Sequence, residues 1–379
     1  MAKYRLGDIA PISQGTVPEC DKYWLLNLDV VESNTGKVLE YVYVDPPQIG
    51  ASTVSFDCSN VLYSKLRPYL NKVVLPDRAG YATSEMLPLK PDEKIVTREY
   101  LTYFLRSPHF VGYINGKTSG AKMPRANTAD LKDVEMECPS IETQNSITAQ
   151  FQAIESIISK RNQQLASLDD LIKARFVEMF GTIHDNKFGY EIRTIQDVCE
   201  PIKDGTHQTP EYTEDTENGF KFLSSKDVTS GKIDWDHLKY IPDHLHEALY
   251  ARIAPRKGDL LLAKNGTTGI AAIVDRDEVF DIYVSLALLR PNGVDSTYLW
   301  GAVNAQETKE QFDASLKGIG VPNLHLGEIK KTKIIVPPIG KQLEFSVFVE
   351  QVDKTKSAVQ KALDEAQTLF DSLMQQYFK

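Results

Sequence analysis

Between Ile141 and Phe180 apolar residues recur at alternating steps of four and three, and no Gly or Pro interrupts the run. The track is Ile147, Phe151, Ile154, Ile158, Arg161, Leu165, Leu168, Ile172, Arg175 and Met179, apolar at eight of ten positions. Such a heptad seam predicts one long helix that needs a partner helix. The end of the chain supplies the partner. Adding 198 to each position gives Phe345, Val349, Val352, Lys356, Val359, Leu363, Ala366, Phe370, Leu373 and Tyr377, apolar at nine of ten. The same offset of 198 pairs Gly120 with Gly318, Pro124 with Pro322, Lys132 with Lys330, Pro139 with Pro337, Gln144 with Gln342 and Phe180 with Phe378. A fixed offset that carries both seam and punctuation is an internal duplication.

The remainder reads as two β-rich segments. In residues 1–140, short runs such as WLLNLDV, VLEYVYV, NVLYSKL, NKVVLP and ATSEMLPL are broken by Gly, Pro, Asn and Asp, as strands between turns are. One helix is expected near Arg98–Ile114, then a Gly- and Lys-bearing loop over Gly116–Arg125, a short element around Leu131 and a strand at VEMECP. Gly181, directly after the last apolar helical residue, is a stop signal. Residues 181–337 then repeat the first segment in outline: Gly15-Thr16 returns as Gly205-Thr206, Asp29-Val30 as Asp227-Val228, and NVLYSK as DLLLAK. The expected fold is α+β, in four parts: 1–140, the helix 141–180, 181–337 and the helix 338–379. A helix of about 38 residues is roughly 57 Å long. Antiparallel pairing would relate the two β-rich parts by a pseudo-two-fold axis; a parallel pairing remains open from the seam alone.

Composition narrows the class. At 379 residues, 42% hydrophobic and 25% charged, the chain fits a soluble globular protein of two domains. The start, MAKYRLGDIAP, has no apolar run, so no secretory signal is expected, and runs such as IYVSLALL are too short to span a bilayer. Cys20, Cys58, Cys138 and Cys199 are scattered, which fits a reducing cytoplasm and argues against a zinc site. The net charge of −9 argues at first against nucleic acid. The excess acid, however, falls mostly in residues 181–337, with 18 basic against 24 acidic residues and an acidic run at Glu211, Glu214, Asp215 and Glu217 that reads as a solvated loop.

Catalytic patterns fail on inspection. Asp45-Pro46-Pro47-Gln48 resembles the DPPY motif of adenine methyltransferases but has Gln48 where the stacking aromatic belongs, so a turn is expected. His246-Glu247 lacks the second His of a zincin, with Tyr250 in its place. Glu328-Ile329-Lys330 with Asp313 fits a nuclease pattern only loosely. What recurs instead is basic charge at equivalent places. Lys65, Arg67, Lys72 and Arg78 answer to Arg252, Arg256, Lys257 and Lys264; Lys117, Lys122, Arg125 and Lys132 answer to Lys317, Lys330, Lys331 and Lys333. Gly and small polar residues accompany them, as at Thr118-Ser119-Gly120, Gly318-Ile319-Gly320 and Lys264-Asn265-Gly266-Thr267-Thr268. Such loops let amides approach phosphates while Arg, Lys, Asn and His reach base edges.

The stretch from Pro139 to Gly181 resembles the central conserved region of specificity subunits of Type I restriction–modification systems, and VPPIGKQ with the helix after it resembles the distal one. The entry signature appears as Pro139-Ser140-Ile141-Glu142-Thr143-Gln144 and Pro337-Pro338-Ile339-Gly340-Lys341-Gln342, departing from it at Ser140, Thr143 and Lys341. Gly258-Asp259-Leu260-Leu261 through Gly269 is similar to a stretch of the family's target-recognition domains. The resemblance implies that 1–140 and 181–337 are target-recognition domains, each reading half of a bipartite site in double-stranded DNA. The helices would form an antiparallel coiled coil that sets the unread spacer. The chain would hold no cofactor and catalyse nothing itself. Two methyltransferase subunits would dock on it, and translocase–nuclease subunits would join for restriction, all in the cytoplasm and away from membranes. Base-contact candidates are Lys65, Arg67, Lys122, Arg125, Lys264, Asn265, Asn323 and His325. A non-DNA coiled-coil adaptor with duplicated binding modules is the alternative.

Overall fold

The computed structural model describes residues 2–120, 122–316 and 322–379. The two seams form helices Ile141–Phe180 and Ile339–Tyr377. The first stops at Gly181, whose φ of +75° is a left-handed backbone that glycine adopts without strain; its N–H donates to the Val177 carbonyl at 2.8 Å. The chain divides into two compact units, Met1–Asn162 with Gln360–Lys379, and Gln163–Val359, so each unit contains half of each long helix.

In the first unit a four-stranded sheet runs in the order Tyr43–Val44, Tyr23–Leu26, Gly80–Thr83, Thr53–Phe56. A three-stranded sheet runs Val73–Val74, Val61–Ser64, Met86–Leu89, and a ribbon pairs Ala2–Arg5 with Glu135–Cys138. The strand Val61–Ser64 is buried on both faces, and its two-residue period splits it between cores. Val61 and Tyr63 point into a core shared with Leu101, Phe110, Phe151 and Phe378, whereas Leu62 joins Trp24, Phe56 and Met86. Here the helices run antiparallel: Phe151 meets Phe370 at 5.3 Å and Phe378 at 6.0 Å between ring centroids.

The second unit follows the same plan. Its sheets run Cys199–Asp204, Leu286–Pro291, Leu260–Ala263, Ala271–Ile273 and Lys239–Ile241, Phe220–Leu223, Phe280–Ile282, with a ribbon of Glu191–Thr194 and Lys333–Val336. Leu260 and Leu262 face one core, with Phe176, Phe180, Tyr298 and Phe345; Leu261 and Ala263 face the other, with Trp235, Phe280 and Ile282. Burying a Leu fully stabilises by about 2 kcal/mol, so a strand buried on both faces is a strong anchor for whatever leaves its end. The helices are antiparallel here too: Phe176 meets Phe345 at 5.3 Å, and farther along Lys356 pairs with Asp169.

A matched glutamine docks each long helix. Gln144 accepts a hydrogen bond from the Thr97 N–H at 2.9 Å and donates to the carbonyls of Ile95 and Pro139 at 2.8 and 2.9 Å. Gln342 accepts from the Asp295 N–H at 2.8 Å and donates to the Pro337 carbonyl at 2.7 Å. Thr97 and Asp295 in turn cap helices, accepting from the N–H groups of Tyr100 and Tyr298.

Three local expectations are corrected. The helix expected over Arg98–Ile114 is two, Arg98–Arg106 and Pro108–Asn115, because Pro108 has no N–H to continue the first and Ser107 caps the second. VLEYVYV is a strand only at Tyr43–Val44; Leu39 and Tyr41 are solvent-exposed and take no part in a sheet. The seam also continues differently near its ends, where Phe176, Phe180, Met374 and Phe378 are buried, two pairs again at the offset of 198. An ideal helix drifts by about 20° per heptad from a 3.5-residue repeat, which turns these positions into the globular cores. The turn expected at Asp45-Pro46-Pro47-Gln48 is a short 3-10 helix closed by the Asp45 N–H donating to Gln48 at 3.0 Å.

Candidate nucleic-acid interface

Each doubly buried strand is followed directly by a lysine, Lys65 or Lys264, and the chain there crosses the loop that precedes the ribbon's last strand. The backbone bonds of the two crossings correspond one to one. The Lys65 N–H donates to the Glu85 carbonyl at 3.0 Å, and the Lys264 N–H to that of Ser285 at 2.9 Å. The Lys65 carbonyl accepts from Ala126 N–H at 2.8 Å, and the Lys264 carbonyl from Leu324 N–H at 2.8 Å. Arg67 N–H donates to Pro124 at 2.7 Å, and Gly266 N–H to Pro322 at 3.2 Å. Leu66 bridges Arg125, and Asn265 bridges Asn323. The two basic stretches that recur in the sequence are thus brought together within each unit.

The side chains differ. In the first unit Lys65 is half-buried, and Arg67, Lys122 and Arg125 are exposed. Arg125 is held by Glu85, with its Nη2 at 3.0 Å and Nε at 3.1 Å from Oε1. Those hydrogen bonds raise the guanidinium's pKa above its ordinary value, so it stays charged. In the second unit Lys264 has a side chain only 7% exposed and lies 3.5 Å from Asp204. Its ammonium is therefore a buried partner of a carboxylate and does not face solvent, unlike the exposed base-contact role expected from sequence. Asn265 and Asn323 are half-buried, and the Oδ1 of each is enclosed without a hydrogen-bond partner. His325 is exposed at the start of the helix Leu326–Lys331. Lys317 and Gly318-Ile319-Gly320 lie outside the described residues.

Sequence reasoning missed Asp204, and with it a cluster. Besides Lys264, Asp204 takes the Arg252 guanidinium at 3.3 Å and the His207 Nε2 at 3.1 Å. The Arg252 and His207 side chains are 48% and 67% exposed, so they extend the basic surface beyond the crossing. The available signal was a difference between repeats: Gln14-Gly15-Thr16-Val17 aligns with Asp204-Gly205-Thr206-His207. Other basic residues of the recurring stretches serve the fold. Lys72 donates to the Leu28 carbonyl at 2.6 Å, Arg78 bonds Asp77 and Tyr43, and Lys117 pairs with Asp130 at 3.3 Å. His246, read as no metal ligand, is buried against Asp281 at 2.7 Å; burial pushes that carboxyl up to about 6. Among the described residues no cluster of His, Cys, Asp and Glu is placed to hold a metal ion, and no helix is long and apolar enough to cross a membrane.

Comparison with known proteins decides what carries this surface. The sequence matches the Type I restriction modification DNA specificity domain twice, over residues 1–168 and 188–367. The chain belongs to that family. It is a DNA-specificity subunit of a Type I restriction–modification system, and a DNA-free adaptor is not favoured. The Type I restriction enzyme MjaVIII specificity subunit of Methanocaldococcus jannaschii is 23% identical over 312 residues, covering 75% of this chain and 72% of that one. The MjaIX specificity subunit of the same organism is 20% identical over 366 residues, covering 88% and 82%. Two solved structures share the fold. A chain from work on complex assembly and conformational transition of the type I R-M system has a TM-score of 0.62 at 17% identity, covering 100% of this chain and 97% of that one. The S subunit from M. genitalium has a TM-score of 0.57 at 15% identity, covering 100% and 96%. The specificity subunit is therefore α+β, with two β-rich parts and two long helices.

Proposed function

We propose that the specificity subunit reads a bipartite site in double-stranded DNA, with residues 1–140 and 181–337 as target-recognition domains and one half-site to each. The observation that carries this is the crossing built twice with the same backbone bonds and different side chains. A shared frame fixes where side chains are presented, and their identity sets which base is accepted. In the first domain Lys65, Arg67, Lys122 and Arg125 face the DNA. In the second, Asn265, Asn323 and His325 do so, joined by Arg252 and His207, while Lys264 holds Asp204 in place. The helices 141–180 and 338–379 fix the unread interval and carry two methyltransferase subunits, with restriction and translocase subunits added for cleavage. The chain itself catalyses nothing and needs no cofactor, and the complex works in the cytoplasm. Partner subunits share the phosphate contacts, which reconciles DNA binding with a net charge of −9.

The interval supplies the test. Removing one heptad from both long helices shortens them by about 10 Å, close to 3 base pairs. The methylated motif of that variant should lose about that much of its unread gap, and an unchanged gap overturns the role given to the helices.

A further inference from the structure

Among the described residues four that are not glycine have a positive φ: Asn34, Arg67, Asn71 and Asn186. Asparagine tolerates that left-handed region because its short amide bonds the local backbone; arginine has no such relief. Arg67 sits there at φ +48° and ψ +65°, and Pro68 after it narrows its backbone further. The second unit is an internal control. At the equivalent place, fixed by the same hydrogen bond, stands Gly266 at φ +78°, and a Cβ there would meet nothing within 4 Å. Space therefore does not select glycine at this corner; backbone conformation does. The first unit keeps a long cationic side chain where glycine is the relaxed choice.

Among the described residues nothing makes use of that side chain. Arg67 is exposed, and among the described residues its guanidinium takes no hydrogen bond or ion pair. Its neighbour across the crossing, Arg125, is already held by Glu85. A cation needed only for solubility gains nothing from a strained corner, and a phosphate contact tolerates many loop positions. A base edge demands direction, and a rigid strained residue supplies it. On the reading that this unit recognises DNA, we propose that Arg67 is a specificity-determining contact of its half-site and selects guanine, whose N7 and O6 match a guanidinium in the major groove.

The test uses the chain in complex with its methyltransferase subunits, with duplexes varied one base pair at a time and Tm measured alongside. Arg67→Gly should raise the Tm by about 2 °C by relaxing the corner. It should also cost about tenfold or more in discrimination at one guanine of one half-site, leaving the other half intact. Arg67→Ala should lose the same discrimination without the gain in Tm, and Arg67→Lys should keep affinity and lose selectivity. A lower Tm for Arg67→Gly would make the side chain structural and overturn the proposal. Equal weakening on every duplex would make it a phosphate contact, and an unchanged motif would leave it no role; either overturns it too. If the wild-type complex recognises no defined motif, the reading of the unit as a DNA reader fails first.

Discussion

At the first crossing Leu66 faces Arg125, and the nearby acid, Glu85, holds that arginine at the surface. At the second, Asn265 faces Asn323, and the acid, Asp204, comes from another strand to hold a lysine inside. Set this beside the helix anchors, where Gln144 and Gln342 accept from N–H groups at 2.9 and 2.8 Å. Two copies of one ancestral unit have kept the anchors in residue and in bond length. They have kept the crossings in backbone bonds, in Lys65 and Lys264 and in Pro124 and Pro322, while the side chains that face each other differ. That division teaches where constraint lies: the parts that fix position are held constant, and the parts proposed to meet the DNA differ.

The comparison breaks most severely at Asp204. Asp204→Ala leaves Lys264 buried without its counter-ion and should cost about 3 kcal/mol in chemical denaturation. Glu85→Ala, which frees a solvent-exposed arginine, should cost far less. Equal losses would mean that the two acids play the same part. The anchors should behave alike: Gln144→Ala and Gln342→Ala each strand buried backbone groups and should each cost about 2 kcal/mol. A gap much larger than that between the two would deny that the docking is shared. Next come the proposed base contacts. Arg125→Ala and Asn323→Ala should each relax one base position by about tenfold, in different halves of the motif, as read from the methylation pattern. If both altered the same half, the one-unit, one-half assignment falls. The smallest effect belongs to Lys122→Ala, which should weaken binding equally on all sequences and lower the salt slope by about 1.

Much of the frame could be read from residues alone, and for a physical reason. A heptad seam is a local, periodic signal, so Ile141–Phe180 was visible at its full length, and the offset of 198 exposed the second helix with it. Gln144 and Gln342 stood out only as matched residues; their use as anchors needed the carbonyls and N–H groups they reach. The crossing is the opposite case. It joins Leu66 to Arg125 and Asn265 to Asn323, contacts 59 and 58 residues apart that leave no periodic trace. Charge counts could point to Lys264 but could not show that Asp204 draws it inside. Pro108 was legible as a helix break, and the apolar pattern on either side of it masked the signal. The Arg175 seam position is now placed: its guanidinium lies 5.6 Å above the Phe348 ring and bonds Glu178 at 2.8 Å, so it packs against the second helix.

The account stands on two units reading two half-sites. Mapping methylated adenines in DNA from cells that carry this chain with its cognate methyltransferase tests that directly. The account predicts a motif in two unlike parts separated by a gap of fixed length. A single uninterrupted motif, or methylation without sequence preference, would contradict it.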